Sequence, residues 1–118
     1  KFNSLGEEEF FPAPTVTKDY LLCGCEDGYL YFLDKKKGKL IKRIATFDED
    51  AIKTEVIIDE EGKFYFGDDG GKLYVYDGKL VSLFEAEDAI ISTPLIIKRD
   101  GKKIIFILDE MGYLYALN

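Results

Sequence analysis

Apolar and polar residues alternate along short segments of this chain, and glycine-containing turns separate the segments. The clearest alternating runs are YLYFLD after Gly28, KLYVYD after Gly71 and YLYALN after Gly112. A period of two places successive side chains on opposite faces of a β-strand, whereas an amphipathic helix shows a period of 3.6. Because no segment shows the helical period convincingly, the pattern predicts an all-β chain.

The alternating runs are parts of a longer repeat. Their glycines are spaced by 43 and 41 residues. Each run is preceded by another strand-like run (YLLCGCE, KFYFGDD and KIIFILDE) and, before it, by a short extended segment (APTVT, TEVIID and TPLIIK). A fourth run, KLIKRIATFDEDAI or KLVSLFEAEDAI, follows the first two copies. Four antiparallel strands in about 40 residues are typical of a β-propeller blade.

The repeat divides the chain into three predicted blades, covering residues 13–52, 53–90 and 91–118, of which the third lacks its outer strand. The N-terminal run KFNSLGEEEF matches the outer strand of the second repeat without a gap. The matching pairs are Lys1 with Lys79, Ser4 with Ser82, Leu5 with Leu83, Glu7 with Glu85 and Glu9 with Glu87. We therefore expect residues 1–10 to form the outer strand of a blade.

The repeated positions resemble those of the pyrroloquinoline-quinone-type (quinoprotein-like) β-propeller family. That family places a proline before its first strand, a glycine in its second, and a glycine turn, a tyrosine and a final aspartate in its third. The matching residues are Pro14 and Pro94; Gly24 and Gly67; Gly28, Gly71 and Gly112; Tyr31, Tyr74 and Tyr115; Asp34 and Asp77. Glu55, Leu108 and Asn118 depart from the pattern, and the family's fourth-strand tryptophan is missing, since the chain has no Trp.

Three blades are too few for an ordinary ring, because propellers typically use about four to eight. An open arc would expose an apolar sheet face at each end. We expect either a head-to-tail homo-oligomer, in which each N-terminal strand completes the partner's last blade, or a segment excised from a larger propeller. The chain begins with Lys1 and not with Met, which fits a processed or excised chain.

The chain has a net charge of −7 and a pI of about 4.6. Nucleic acid is therefore not an expected partner, because it carries negative charge as this chain does. Insertion into a membrane is not expected either, since no apolar run approaches the roughly 18 residues of a spanning helix.

The composition offers no catalytic residues. The chain has no His, which removes the commonest general base and metal ligand, and we expect no enzyme activity, no metal and no cofactor. Cys23 is predicted to be a buried small apolar residue and Cys25 a polar strand end, with redox chemistry, metal binding or an intermolecular link as alternatives. The turn containing Asp68 and Asp69 is predicted to be solvated, with a cation site as the alternative.

The resemblance implies a non-catalytic β-propeller scaffold for protein–protein interaction or assembly, with the repeated tyrosines in packing roles. Family members of this kind include an outer-membrane assembly lipoprotein and sensor domains of membrane kinases, which favours a periplasmic or extracellular setting over the cytoplasm. One alternative is a fragment of a quinone-cofactor dehydrogenase, against which the missing Trp argues. Another is a ring that binds a small ligand or a glycan at its blade junctions.

Overall fold

The computed structural model describes residues 12–118, and in this range the β-strands form three antiparallel sheets. The predicted outer strand at residues 1–10 lies outside the described residues. The all-β prediction is confirmed. The repeat boundaries drawn from the sequence stay predictions.

The first two sheets each contain four strands in sequential order. We call the first sheet blade 1; its strands are β1 (Thr15–Val16), β2 (Tyr20–Gly24), β3 (Tyr29–Asp34) and β4 (Leu40–Ala45). Blade 2 contains β5 (Ile57–Ile58), β6 (Phe64–Gly67), β7 (Lys72–Tyr76) and β8 (Leu80–Glu85). Blade 3 contains β9 (Leu95–Arg99), β10 (Lys102–Leu108) and β11 (Leu114–Leu117). Within the described residues, β11 pairs only with β10, so it forms an edge of its sheet.

The turn between the second and third strand of each blade requires glycine. Gly28, Gly71 and Gly112 have φ angles of 87°, 87° and 90°, in the left-handed region that residues with a Cβ atom rarely adopt. These glycines fix the hairpin register, so that Tyr31 lies opposite Cys23, Tyr74 opposite Phe66 and Tyr115 opposite Ile107. The third strands of the three blades are therefore equivalent position by position.

Each blade has two faces, which we name by the residues of its third strand. The front face carries Leu30, Leu73 or Leu114, and the back face carries Tyr31, Tyr74 or Tyr115 at the next position. In the described part of the chain, the main apolar cores form where the front face of one blade meets the back face of the next. The fold is therefore held together by contacts between blades as well as by the strand pairing within them.

Candidate interaction surface

The first junction joins the front face of blade 1 to the back face of blade 2. Leu22, Leu30 and Phe32 are buried there against Phe66 and Tyr74. Burying one such side chain contributes about 1.5–3 kcal/mol relative to leaving it exposed. A front face is thus an apolar surface that requires another blade to cover it.

The second junction repeats this arrangement between blades 2 and 3. Leu73 and Tyr65 of blade 2 are buried against Ile105 and Ile107 of blade 3. The Phe84 ring lies 5.0 Å from the Tyr115 ring, measured between centroids, which adds an aromatic contact across the same junction. The two junctions use equivalent positions with different side chains, as repeat proteins commonly do.

A tyrosine hydroxyl connects the blades at the first junction. The Tyr74 hydroxyl donates a hydrogen bond to Oδ2 of Asp68, 2.8 Å away within blade 2. It also accepts a hydrogen bond from the backbone N–H of Phe47, 3.1 Å away in the loop that leaves blade 1. The repeated tyrosine therefore bonds to the previous blade in addition to packing against it.

The second junction has the same pair of bonds. The Tyr115 hydroxyl donates to Oδ2 of Asp109 at 2.8 Å and accepts the backbone N–H of Glu87 at 3.2 Å. In blade 1 the Tyr31 hydroxyl donates to Asp27, because the position equivalent to Asp68 and Asp109 is occupied by Cys25. The acceptor has moved by two residues, but the tyrosine keeps a carboxylate partner.

These carboxylates were missed as functional positions in the sequence, and the prediction that Asp68 is solvated is wrong. Asp68 is fully buried and accepts hydrogen bonds from both Tyr74 and the backbone N–H of Lys72. Burial raises the pKa of Asp68 above its ordinary value, although the hydrogen bond from Tyr74 acts in the opposite direction. Burial, together with the hydrogen bond to Asp27, raises the pKa of Tyr31 to about 12. The available signal was an aspartate six residues before the tyrosine in two repeats.

The glycines predicted in the second strand make room for a loop that enters the junction. A Cβ atom at Gly24 would lie 2.3 Å from Cγ2 of Ile52, and one at Gly67 would lie 2.5 Å from Cγ2 of Ile90. Both isoleucines are fully buried. Each glycine thus lets the connection to the next blade pack directly on the strand.

The remaining predicted positions are dispersed. Pro94 is buried whereas Pro14 is exposed. Asp34 accepts the backbone N–H of Lys36 at 2.8 Å and so closes the turn after β3, and the backbone N–H of Asp77 bonds to the carbonyl of Lys79 after β7. The structure does not bring the repeated positions together into one pocket.

Cys23 packs against a small apolar cluster, but the prediction that Cys25 is a polar strand end is wrong. Cys25 is fully buried, whereas Cys23 is only partly buried, and neither forms a disulfide. The reason is the turn that follows β2: the backbone carbonyl of Cys25 accepts hydrogen bonds from Gly28 and Ile52, which hold this residue under the loop leaving blade 1.

A charged network spans the second junction at the opposite end of the sheets. Lys103 of blade 3 forms an ion pair with Asp59 of blade 2 at 2.5 Å and with Glu61 at 3.3 Å. The Tyr65 hydroxyl donates to Asp59 at 2.9 Å. Burial opposes ionisation of Asp59, but the bonds from Lys103, Tyr65 and the backbone outweigh it and lower the Asp59 pKa to about 2. This network lines a cavity of about 220 Å³ between the blades.

The front face of blade 3 is the open surface of the described chain. Leu114 is 68% exposed, whereas the equivalent Leu30 and Leu73 are 0% exposed. Leu95 on the neighbouring strand β9 is 58% exposed, and the Phe106 side chain between them is half-buried. Blade 3 therefore presents the kind of apolar face that another blade covers at both described junctions.

Nowhere in residues 12–118 do three or more Cys, Asp or Glu side chains gather as metal ligands would. The same residues form no helix with the length and hydropathy needed to cross a bilayer.

Sequence comparison finds one partial likeness. No protein-family model matches the chain. A stretch of 63 residues, 53% of this chain, is 35% identical to the outer membrane protein assembly factor BamB of Shewanella oneidensis, and it covers 15% of that protein. The chain thus spans a small part of this relative.

Structural comparison finds propellers. The chain superposes on the computationally designed Ika4 protein with a TM-score of 0.68 and 14% identity, covering 91% of this chain and 64% of that one. For BamB from Moraxella catarrhalis the TM-score is 0.65 with 18% identity, covering 94% of this chain and 34% of that one. For the designed Ika8 protein the TM-score is 0.66 with 14% identity, covering 90% of this chain and 32% of that one.

The fold class follows from these findings: the chain has a β-propeller fold, and its sheets are propeller blades. Each of these solved chains is longer than the present one. The likeness to BamB in both sequence and structure is the most specific of these findings, and it covers only a part of that protein.

Proposed function

We propose that this chain is a non-catalytic β-propeller scaffold for protein–protein interaction or assembly, and that it works in the cell envelope. The observation that carries the proposal is the open front face of blade 3, where Leu114 and Leu95 are 68% and 58% exposed. An exposed apolar surface of this kind marks an interaction site, because covering it removes apolar area from water. The likeness to an outer membrane assembly factor supports both the role and the setting.

The proposed partner is a further propeller blade. At both described junctions the front face is covered by the back face of another blade, with Tyr74 or Tyr115 bonding across. The front face of blade 3 carries Leu114 at the position that Leu30 and Leu73 occupy on the two covered front faces. A second copy of this chain would cover this face and remove its leucines from water. The rest of a larger propeller would cover it in the same way.

Light scattering of the purified chain tests the proposal. We expect a mass above the 13.5 kDa of one chain, and we expect Leu114→Glu to shift the mass toward that of the monomer. Met111→Glu is the matched control, because Met111 is 60% exposed but lies in the turn before β11. If the unaltered chain has a mass of 13.5 kDa at every concentration tested, and Leu114→Glu does not change it, self-association is contradicted.

The envelope setting has its own test. Cell fractionation, with an antibody against the chain, should recover it with periplasmic or outer-membrane material. Recovery with the cytoplasmic fraction would refute this part of the proposal and leave the scaffold role standing.

A further inference from the structure

We propose that the front face of blade 3 binds the same face of a second copy of this chain, so that the two copies form a two-fold symmetric dimer. This inference rests on the proposed function, because it names the surface of a second copy that covers the open face. In such a dimer each copy contributes the same patch, which must therefore be complementary to itself.

The central strand of blade 3 carries a row of residues with this property. Residues paired across antiparallel strands share a face, so Leu108, the partner of Leu114, lies on the front face. Alternation along β10 and into the turn after it places five residues in this row: Lys102, Ile104, Phe106, Leu108 and Glu110. Lys102 and Glu110 each lie four positions from Phe106. A two-fold axis through Phe106 therefore places Lys102 of one copy over Glu110 of the other.

The flanking strands match under the same axis. Phe106 pairs with Leu95 on β9 and with Ala116 on β11, so it lies at the centre of the three-stranded face. The axis places β9 of one copy over β11 of the other. Leu95 then faces the small Ala116, and Ile97 faces Leu114. The two leucines that are exposed in the single chain both become covered.

The charges at the two ends of the row are available for a partner. Lys102 and Glu110 are exposed, and the ion pairs within residues 12–118 include neither of them. Arg99, which pairs with Lys102 across β9 and β10, is also exposed and adds to the positive end. Turning one copy by 180° in the plane of the face would bring like charges together. The charges thus favour the symmetric orientation.

The back face of blade 1 offers a second copy much less. Tyr31 and Leu33, which lie on that face, are 0% and 7% exposed. Covering them again would remove almost no apolar area from water, whereas covering Leu95 and Leu114 removes a large part of both side chains. Burial of apolar area therefore favours contact between two front faces over contact between a front face and the back face of blade 1.

The size of the face predicts a weak dimer. From Lys102 to Glu110 the row extends about 27 Å, at about 3.4 Å per residue, and three strands about 4.8 Å apart are about 14 Å wide. The flat area is roughly 400 Å² per copy, or about 800 Å² for the pair, which is at the low end of specific interfaces. We expect a dissociation constant in the micromolar range or above, so the experiments extend to about 1 mM protein.

Charge reversal tests the symmetric arrangement. Lys102→Glu or Glu110→Lys alone should raise the dissociation constant, measured by sedimentation equilibrium at low salt, by at least about fivefold. An equimolar mixture of the two variants should recover the affinity of the unaltered chain, because both ends of the mixed dimer then join opposite charges. Lys37→Glu is the matched control: it makes the same charge change at an exposed position in the turn after β3, and it should leave the constant unchanged.

A zero-length carbodiimide cross-link gives a second measurement on the unaltered chain. This reagent joins an amine to a carboxylate that it contacts. In one copy Lys102 and Glu110 lie at opposite ends of the row, so a link between them, found by mass spectrometry on mixed isotope-labelled and unlabelled chains, must join two copies. The Lys98–Glu60 pair, 2.7 Å apart within one chain, is the positive control for the chemistry.

The outcomes separate this inference from the proposed function. Recovery in the mixture and a Lys102–Glu110 link between copies support the symmetric dimer. Association that is lost with Leu114→Glu, but without recovery in the mixture and without the link, overturns the symmetric dimer and leaves the proposed function intact. A chain that stays monomeric up to about 1 mM overturns the dimer and self-association together.

Discussion

The hydroxyl of Tyr74 donates a 2.8 Å hydrogen bond to the buried carboxylate of Asp68. The same oxygen accepts a hydrogen bond from the backbone N–H of Phe47 in the preceding blade. One side chain therefore forms hydrogen bonds both with a buried carboxylate and with a backbone amide of a loop. Tyr115 does the same with Asp109 and Glu87. The repeated tyrosine is therefore the polar link of each described junction, as well as a packing residue.

Removing this hydroxyl should destabilise the fold. Tyr74→Phe deletes both bonds and leaves Asp68 with one fewer donor, which should lower the free energy of unfolding by about 1–3 kcal/mol. Urea unfolding followed by circular dichroism measures the change. Tyr76→Phe is the control, because the Tyr76 hydroxyl accepts one exposed 3.3 Å bond, from Lys42, and it should cost less than half as much. Equal losses in the two variants would argue against a special role for Tyr74.

The close contact between Gly24 and Ile52 should be detectable as an energetic coupling. A Cβ atom at residue 24 would lie 2.3 Å from the Ile52 side chain, so Gly24→Ala should cost about 1–3 kcal/mol through overpacking. Ile52→Ala should cost about 2–5 kcal/mol through loss of a buried side chain. The double variant should be more stable than the sum predicts, because the smaller residue 52 leaves room for the new methyl group. Additive losses in the double-mutant cycle would refute the contact.

The ion pair between Asp59 and Lys103 should make stability depend on acid pH. The pKa of Asp59 is lowered from 3.8 to about 2 in the folded chain, so its contribution is present above about pH 4 and is lost as the pH falls toward 2. Over this range the unaltered chain should lose more unfolding free energy than Lys103→Met, by an amount of the order of 2 kcal/mol.

The exposed pair of Lys98 and Glu60 provides the control for this pH series. Their side chains are 53% and 76% exposed, so Lys98→Met should leave the acid dependence nearly unchanged. If Lys103→Met and the unaltered chain show parallel pH profiles, Asp59 does not carry the effect.

The two thiols should react slowly with alkylating reagents in the folded protein. Burial raises the pKa of Cys23, which lowers its thiolate fraction, and Cys25 is fully buried. We expect both to react at least about tenfold more slowly than in urea, as measured by mass spectrometry after timed labelling. Rapid labelling of Cys25 without denaturant would mean that the loop leaving blade 1 opens frequently.

Much of the fold could be read directly from the sequence, because its signals are local. Strand alternation and the glycines at residues 28, 71 and 112 depend on backbone conformation and on side-chain period, and the structure agrees with both. The repeat of about 40 residues made the blade recognisable in the same way. The burial of Asp68 and Cys25 was not predicted, because it depends on the loop that leaves each blade packing back over the end of that blade's second strand.

The sequence by itself determined that the chain is all β, repetitive, acidic and without histidine, since composition and periodicity need no partner residue to be read. Only the tertiary structure decided which apolar positions are covered. Leu30, Leu73 and Leu114 are the same residue in the same local pattern, yet two are buried and one is 68% exposed. The difference lies in whether another blade stands in front of them, and that depends on how the sheets follow one another in space.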